Sequence, residues 1–596
     1  MATLVAESEP SKAAQTESAP GVKHETDNIL IQPLDSHQGS HGSDPDPLQD
    51  HAQYPDRLYK LLLDILALVA IQFLQGLDGT IVSTAIPKIT DQFHALGDIG
   101  WYASSFMLTF CSFQLIWGKL YTFYTAKWTY LIGLFLFELG SLICGIAPSS
   151  TSFIIGRAIA GLGGGGTGAG SLLLVTHLLP PPRRPTLIGI LCATFGFGAA
   201  IGPLLGGAFT DNAKLTWRWC FYINLPLGAL AAAIVVLFIP INKPPGINTP
   251  LRERLLQMDL LGAVLLVPGV ISLLLALQWG GSEYPWSDGR VIATLVVVGV
   301  LGTGFVLSQV CRKDENRIMI SSRVFNDLRV WPSVILGASS TASFFVMLYN
   351  LPIWFQAIKG ASAASSGLMN LPLTVSFLVA STLGGTLTSS DSSPSPSSAN
   401  NCRRRILSSR LREVKSPSPT TTLALLTLAS PILSSTGCGL LTTLAPHTST
   451  GKWIGYQILM GAGAGLGMQL SLTSAQSFAH HADIIMGTTI ILLCQNLTAT
   501  VLTSVAATVL NSQLAMRLRD EVPGLRGDTQ LVTGAGATGF RDVVPPELIP
   551  AVLEVYNEAV TKTFLVAVGV ACLGIGGFLW VPLSWTRRAM GAQTLD

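Results

Sequence analysis

The chain has 596 residues, of which 49% are hydrophobic and only 12% charged, with a mean hydropathy of +0.49, against roughly 25% charged residues in an ordinary soluble domain. Such a composition implies a protein that crosses a membrane many times, and a formal net charge of +2, evenly mixed, excludes a basic face for nucleic acid. Nine scattered cysteines without a Cys-x-x-Cys pair or a Cys/His spacing of the zinc type exclude a metal site of that kind.

Residues 1–57 are polar and rich in Ser, Pro, Asp and His, and they lack the basic and apolar regions of a cleavable leader. They read as a disordered cytoplasmic tail, with the first apolar run as an uncleaved anchor. A helix needs about 20 mainly apolar residues to cross the hydrocarbon. Fourteen such runs follow, near 59–82, 99–120, 128–147, 152–178, 186–209, 219–240, 257–278, 290–310, 331–357, 365–387, 421–445, 453–475, 485–510 and 562–585. An even number puts both termini on one side. Basic residues crowd the turns after even-numbered runs (Lys119, Lys127, Arg183, Arg184, Lys243, Arg252, Arg254, Arg312, Lys313), which marks that side as cytoplasmic.

Four local patterns appear in order along these runs. The first run holds "LDGTIVSTAIPKI", the fourth "IIGRAIAGLGGGG", and the fifth Gly198-x-x-x-Gly202-Pro203-x-x-Gly206-Gly207; "WRWCFYINLPLG" enters the sixth. Together they resemble the major facilitator superfamily, and within it the fourteen-span drug:proton antiporters of the fungal toxin and multidrug efflux branch. The resemblance covers about residues 58–586. It implies an all-α polytopic membrane protein with two six-helix halves and two extra helices between them. The implied divisions are a tail at 1–57, a first half at 58–240, two linking helices with a cytoplasmic loop at 241–330, a second half at 331–586 and a tail at 587–596.

Two segments depart from that pattern. The loop between the second and third runs reads "GKLYTFYTAKWTY" and keeps Gly118, Lys119 and Lys127 without the usual Asp, a form that resembles the fungal subgroup. Residues 388–422 are rich in Ser, Pro and Arg where relatives have a short turn, and read either as a disordered or regulatory loop or as a gene-model error. Residues 511–561 form the longest loop on the extracellular side by this count.

Charges inside spans cost about 2.5–3.5 kcal/mol on insertion scales, so they mark a pathway or a pair. Asp78, Glu138 and Arg157 stand out, all in the first four runs. Asp78 lies eighteen residues beyond Lys60, roughly 27 Å up from the cytoplasmic side, and Arg157 at roughly 22 Å in the same core, so the two stand at nearly one level. Asp78 or Glu138 is the candidate proton carrier with Arg157 modulating it; a static Asp78–Arg157 pair is the alternative. No cofactor beyond a proton gradient is expected.

The second half offers polar groups at depth: Asn350, Gln356, Gln469, Gln495 and Asn496. They are candidates for contact with bulky, weakly charged substrates, or else for joining helices. The Gly198–Gly202–Gly206 spacing gives one smooth stripe that another helix can approach closely; the resemblance implies that this helix packs on the run 365–387, so that the stripe, with Pro203 and Gly207, is expected to close an extracellular gate. With no nucleophile–base set or nucleotide loop, an enzyme is not expected. The reading is a monomeric exporter of hydrophobic small molecules by proton antiport, in the plasma membrane or alternatively the vacuolar one, with lipid, protons and cargo as its partners. A siderophore carrier and a non-transporting membrane sensor are the alternatives.

Overall fold

Apolar runs of this length leave the backbone no hydrogen-bond partner in lipid except itself, so they fold as helices. A computed structural model describes residues 58–94, 98–180, 183–212, 214–239, 250–280, 284–312, 318–320, 322–326, 330–390, 419–475, 481–522, 540–541 and 544–593. The expected tail at 1–57, most of the 388–422 segment, the middle of 511–561 and residues 594–596 lie outside the described residues.

The first half comprises α1 (Leu58–Phe93), α2 (Ile99–Ser112), α3 (Gln114–Phe123), α4 (Ala126–Ile146), α5 (Ser150–Leu178), α6 (Arg184–Asp211), α7 (Trp219–Tyr222) and α8 (Asn224–Phe238). A short α9 (Leu251–Gln257) leads into the linking pair, α10 (Leu260–Trp279) and α11 (Gly289–Cys311), and α12 (Ser322–Phe325) follows. The second half comprises α13 (Val330–Ala357), α14 (Ala363–Met369), α15 (Leu371–Ser390), α16 (Pro419–Leu441), α17 (Thr450–Ala475), α18 (His481–Glu521) and α19 (Ile549–Gln593).

Twelve helices among the described residues are long and apolar enough to cross a membrane. The other two of the fourteen expected runs are helical as well. The second is broken at Phe113 (φ −94°, ψ 0°) into α2 and α3, and the twelfth, α17, is diluted by Gly, Gln, Ser and Thr. Much of the expected 511–561 loop is helix: α18 runs on to Glu521 and α19 begins at Ile549. Arg517 bridges Glu521 and Glu558 there, so these extensions pair with each other.

Within the first half, α1 packs along α6 and α4 along α5; within the second, α13 packs on α19 and α15 on α17. The halves meet where α6 lies on α14 and α15, and where α3 lies on α18.

The glycine stripe of α6 corrects the expected gate. A Cβ added at Gly198, Gly202 or Gly206 would collide with Phe73, Leu77, Thr80, Ile81 or Thr84 of α1, and one at Gly76 of α1 would collide with Phe195 and Ala199 of α6. The stripe therefore joins α6 to α1 inside the first half. Thr80 reinforces the crossing by donating its hydroxyl to the Ala199 carbonyl at 2.8 Å. The physical reason is reciprocity: Gly76 supplies the matching flat surface opposite the stripe, whereas the glycines of the run 365–387 that approach α6, Gly367 and Gly385, do so at Leu204 and Pro185. That run instead meets other positions of α6, with Ser381 at Gly189, Phe377 at Gly196 and Gly367 at Leu204. Gly207 faces no neighbour, and Pro203 sits in the helix interior beside a small space lined by Thr84, Tyr349, Gln356 and Asn370.

Candidate functional site

The charged centre of the first half joins three elements of the sequence reading. Arg157 Nη1 lies 2.5 Å from Asp78 Oδ2, with both side chains fully buried. Arg157 Nη2 donates to the Asp78 carbonyl at 3.2 Å and Nε to the Tyr102 carbonyl at 3.1 Å. The guanidinium also lies over Phe106, 4.6 Å from its centroid. On the far side, Asn224 Nδ2 donates to Asp78 Oδ1 at 3.2 Å and to Ser141 Oγ at 3.1 Å. A buried pair of this kind persists only when its remaining donors and acceptors are occupied; here Tyr102 of α2 and Asn224 of α8 occupy them, and Ser141 of α4 holds Asn224 in place.

Glu138 is on α4, one turn from Ser141, and presses on Gly228 of α8. Its two carboxylate oxygens are buried and accept no hydrogen bond. It thus stands behind the Asn224 bridge and outside the pair itself. Asp64 of α1, which the sequence reading did not single out, is fully buried with both oxygens unpartnered.

A cavity of about 320 Å³ opens between the halves, walled by α1, α2, α6, α10, α13 and α18. Among the described residues none that lines it is charged. Its rings are Phe106, Phe110, Phe195, Phe345 and Tyr349, from α2, α6 and α13; its polar groups include Gln75, Thr80, Ser83, Ser104 and Gln278, and α18 adds Asn496, Thr500, Thr503 and Ser504. The Thr500 and Ser504 hydroxyls bond to their own helix, whereas the buried Thr503 Oγ1 has no partner. The linking helix α10, expected only to join the halves, packs against α2 and α18 and adds Leu274 and Gln278 to this wall. Its polar end residue gave no periodic signal, because it terminates a run that is apolar on every face.

The second-half candidates separate. Asn496 lines the main cavity. Gln356 donates to Ser366 Oγ at 2.9 Å beside the small space at Pro203. Asn350 donates to the Val346 carbonyl of its own helix at 2.7 Å. Gln469 donates to the Pro185 carbonyl at 3.2 Å, tying α17 to α6 across the halves, and Gln495 donates to Ser471 Oγ at 2.8 Å, tying α18 to α17. Asn350, Gln469 and Gln495 do not line the main cavity, because hydrogen bonds between or along helices use their amides.

At the predicted cytoplasmic end, Lys119 Nζ donates to the Ile318 carbonyl at 2.6 Å, and Gly118 packs on Thr489 of α18. The linking helices are knotted there by buried Asp259, which has a left-handed backbone (φ 48°). It accepts from Arg312 Nη1 and Gln309 Nε2 at 2.7 Å each, and from the Met319 and Gly262 amides at 2.9 Å each.

The family model described as Major Facilitator Superfamily matches residues 68–503. The chain is 42% identical over 528 residues to the MFS-type efflux pump MFS1 of Arthroderma benhamiae, covering 88% of this chain and 91% of the relative. It is 41% identical to the efflux pump bfoC of Aspergillus brasiliensis, covering 88% of each, and 40% identical to the MFS-type transporter astH of Aspergillus oryzae, covering 89% and 88%. Among solved structures, a bacterial homolog to the human lysosomal transporter Spinster superposes with a TM-score of 0.51 at 14% identity, over 89% of this chain and 98% of that one.

Proposed function

The chain belongs to the major facilitator superfamily and is a multi-pass membrane efflux transporter, and on that premise we propose that its cargo is uncharged, predominantly aromatic small molecules exported against protons. The observation that carries the cargo class is the cavity: among the described residues none that lines it is charged, and five rings are mixed with hydroxyls and the amides of Gln75, Gln278 and Asn496. A flat apolar ligand with a few hydrogen-bonding groups matches such a lining. Sugars and phosphorylated compounds would need a denser polar or basic lining.

The proton reading rests on Asp78, Arg157 and Glu138. A proton drives transport only if the group that takes it has different proton affinity in the two conformations. Asp78 is joined by one hydrogen-bonded set to α2, α4, α5 and α8, so a shift among those helices alters its surroundings directly. Phe106 lies between this set and the cavity, which puts the cargo one ring away from the charge. The chain acts as a monomer in the plasma membrane in this reading, with the proton gradient as its only energy source.

The test is efflux of Nile red, an uncharged aromatic dye, from yeast stripped of its own pumps and expressing the full chain with a fluorescent tag. Export that a protonophore abolishes, with the tag at the cell surface, is the expected result. Export unaffected by the protonophore would remove the proton antiport, absence of Nile red export together with export of charged dyes would remove the cargo class, and a tag on the vacuole would move the site of action.

A further inference from the structure

Beneath the main cavity lies a second, smaller chamber of about 30 Å³, room for a water-sized group. Gln75, Phe110, Phe195 and Asn496 line both spaces. On each shared helix the lining moves toward the predicted cytoplasmic end: Gln72 is added on α1, Gln114 is added past the α2–α3 break, and Leu492 is added on α18. The chamber is thus the continuation of the cavity toward the cytoplasm.

Its polar lining consists of amides and carries no charge. Gln75 is committed, donating to the Gly164 carbonyl at 3.2 Å and to Thr167 Oγ1. Gln114 is not: its side chain is fully buried, and neither its Nε2 nor its Oε1 has a hydrogen-bond partner. Gln72 Oε1 is buried and unpartnered in the same chamber. Unsatisfied buried amides cost about 1–3 kcal/mol each, so two glutamines left this way at one chamber need an occupant that satisfies them. The chamber also straddles the two halves, since Gln72, Gln75 and Gln114 belong to the first and Met468, Leu472 and Leu492 to the second.

We propose that this amide-lined chamber is a subsite for an uncharged hydrogen-bonding group at one end of the cargo, a carbonyl or hydroxyl, and that Gln114 is the residue that recognises it. The proposal rests on the export reading above and sharpens its cargo class. When the halves part at the cytoplasmic end the chamber joins the cavity, the aromatic body of the cargo lies on the phenylalanines, and its polar end lies against Gln114, which offers both a donor and an acceptor. When they close again the chamber shrinks to the size seen here, and the polar end loses its partner before release on the other side.

The experiment is fluorescence titration of the purified full-length protein in nanodiscs with Nile red, which carries a carbonyl, and with diphenylhexatriene, a rod-like aromatic hydrocarbon without polar groups. Gln114→Leu is compared with wild type, and Gln114→Met serves as an unbranched second variant. The expected result is about a fivefold to tenfold weaker Kd for Nile red in both variants, unchanged affinity for diphenylhexatriene, and a melting temperature equal to or above wild type. Equal affinities for Nile red, parallel weakening of both probes, or a fall in melting temperature with both variants would overturn the subsite and leave Gln114 a structural group. Failure of wild type to bind either probe would instead overturn the cargo reading on which the subsite rests.

Discussion

The guanidinium of Arg157 lies 4.6 Å from the centroid of the Phe106 ring, and that ring is also part of the cavity wall. One side chain therefore touches both the ion pair and the space where cargo would lie. A desolvated cation over a ring contributes about 2 kcal/mol, enough for the ring's position to bias how Arg157 holds Asp78. Phe106→Leu keeps the apolar bulk and removes the attraction to the cation. Proton-driven Nile red efflux should fall by about tenfold, by more than Nile red binding to the purified protein weakens, while Phe106→Tyr should retain transport. Matched efflux in the Leu variant and wild type would detach the ring from coupling.

The pair itself makes a stability prediction. Arg157→Leu leaves Asp78 as a lone buried charge and Asp78→Asn leaves Arg157 as one, each at a cost of about 3–5 kcal/mol. The double variant leaves neither charge, so its melting temperature in detergent should exceed both singles even though all three have lost proton-driven export. Additive destabilisation in the double variant would show that the two residues do not act as a pair.

Glycine contacts made by α6 should divide by neighbour. Gly202→Leu drives a side chain into Thr80 and Ile81 of α1, an overpacking that costs about 1–3 kcal/mol or more, so the amount of folded protein recovered from membranes should drop. Gly385→Leu meets Pro185 across the halves. It should leave each half folded and favour separation at the cytoplasmic end, read as faster labelling of a cysteine placed at Gln114. The same yield for Gly202→Leu as for wild type would contradict the α1–α6 contact.

Asp259 should show a graded response. Asn tolerates the left-handed backbone and retains the cap on Gly262, but gives up the ion pair to Arg312; Ala gives up the cap as well, at about 1 kcal/mol. Hydrogen exchange at residues 318–320 should accelerate modestly in Asp259→Asn and strongly in Asp259→Ala. Indistinguishable protection in the two variants would mean that the hub does not hold this segment.

The linking helix can be tested from its two faces. Leu274→Trp projects bulk into the cavity and should weaken Nile red binding, whereas Val264→Trp, at an exposed position of the same helix, should not. Equal effects would place the cargo away from α10.

Much of this arrangement could be read from residues alone, and the exceptions have physical causes. Asp78 and Arg157 were legible because a charge in lipid must find its opposite, and helix rise fixed their level. The glycine stripe was legible as a smooth surface, yet spacing states only that a neighbour comes close; which neighbour depended on Gly76, on another helix with no stripe of its own. Gln469 and Gln495 were visible as buried amides, but a hydrogen bond to another helix and one to a ligand call for the same residue type. Asp259 acts through a left-handed backbone that no pattern around it announces.

The backbone contact between α1 and α6 has a mechanical consequence. With backbone against backbone at Gly76 and Gly198, and only the short Thr80 and Thr84 side chains and Ile81 along the rest of the stripe, the two helices form a stiff unit, stapled by Thr80. The opposite flank of that unit carries Gly189, Gly196 and Leu204, the points where the second half rests. A displacement of α1 at Asp78 should therefore carry α6 with it and be felt at those points of the second half, instead of being absorbed at the crossing.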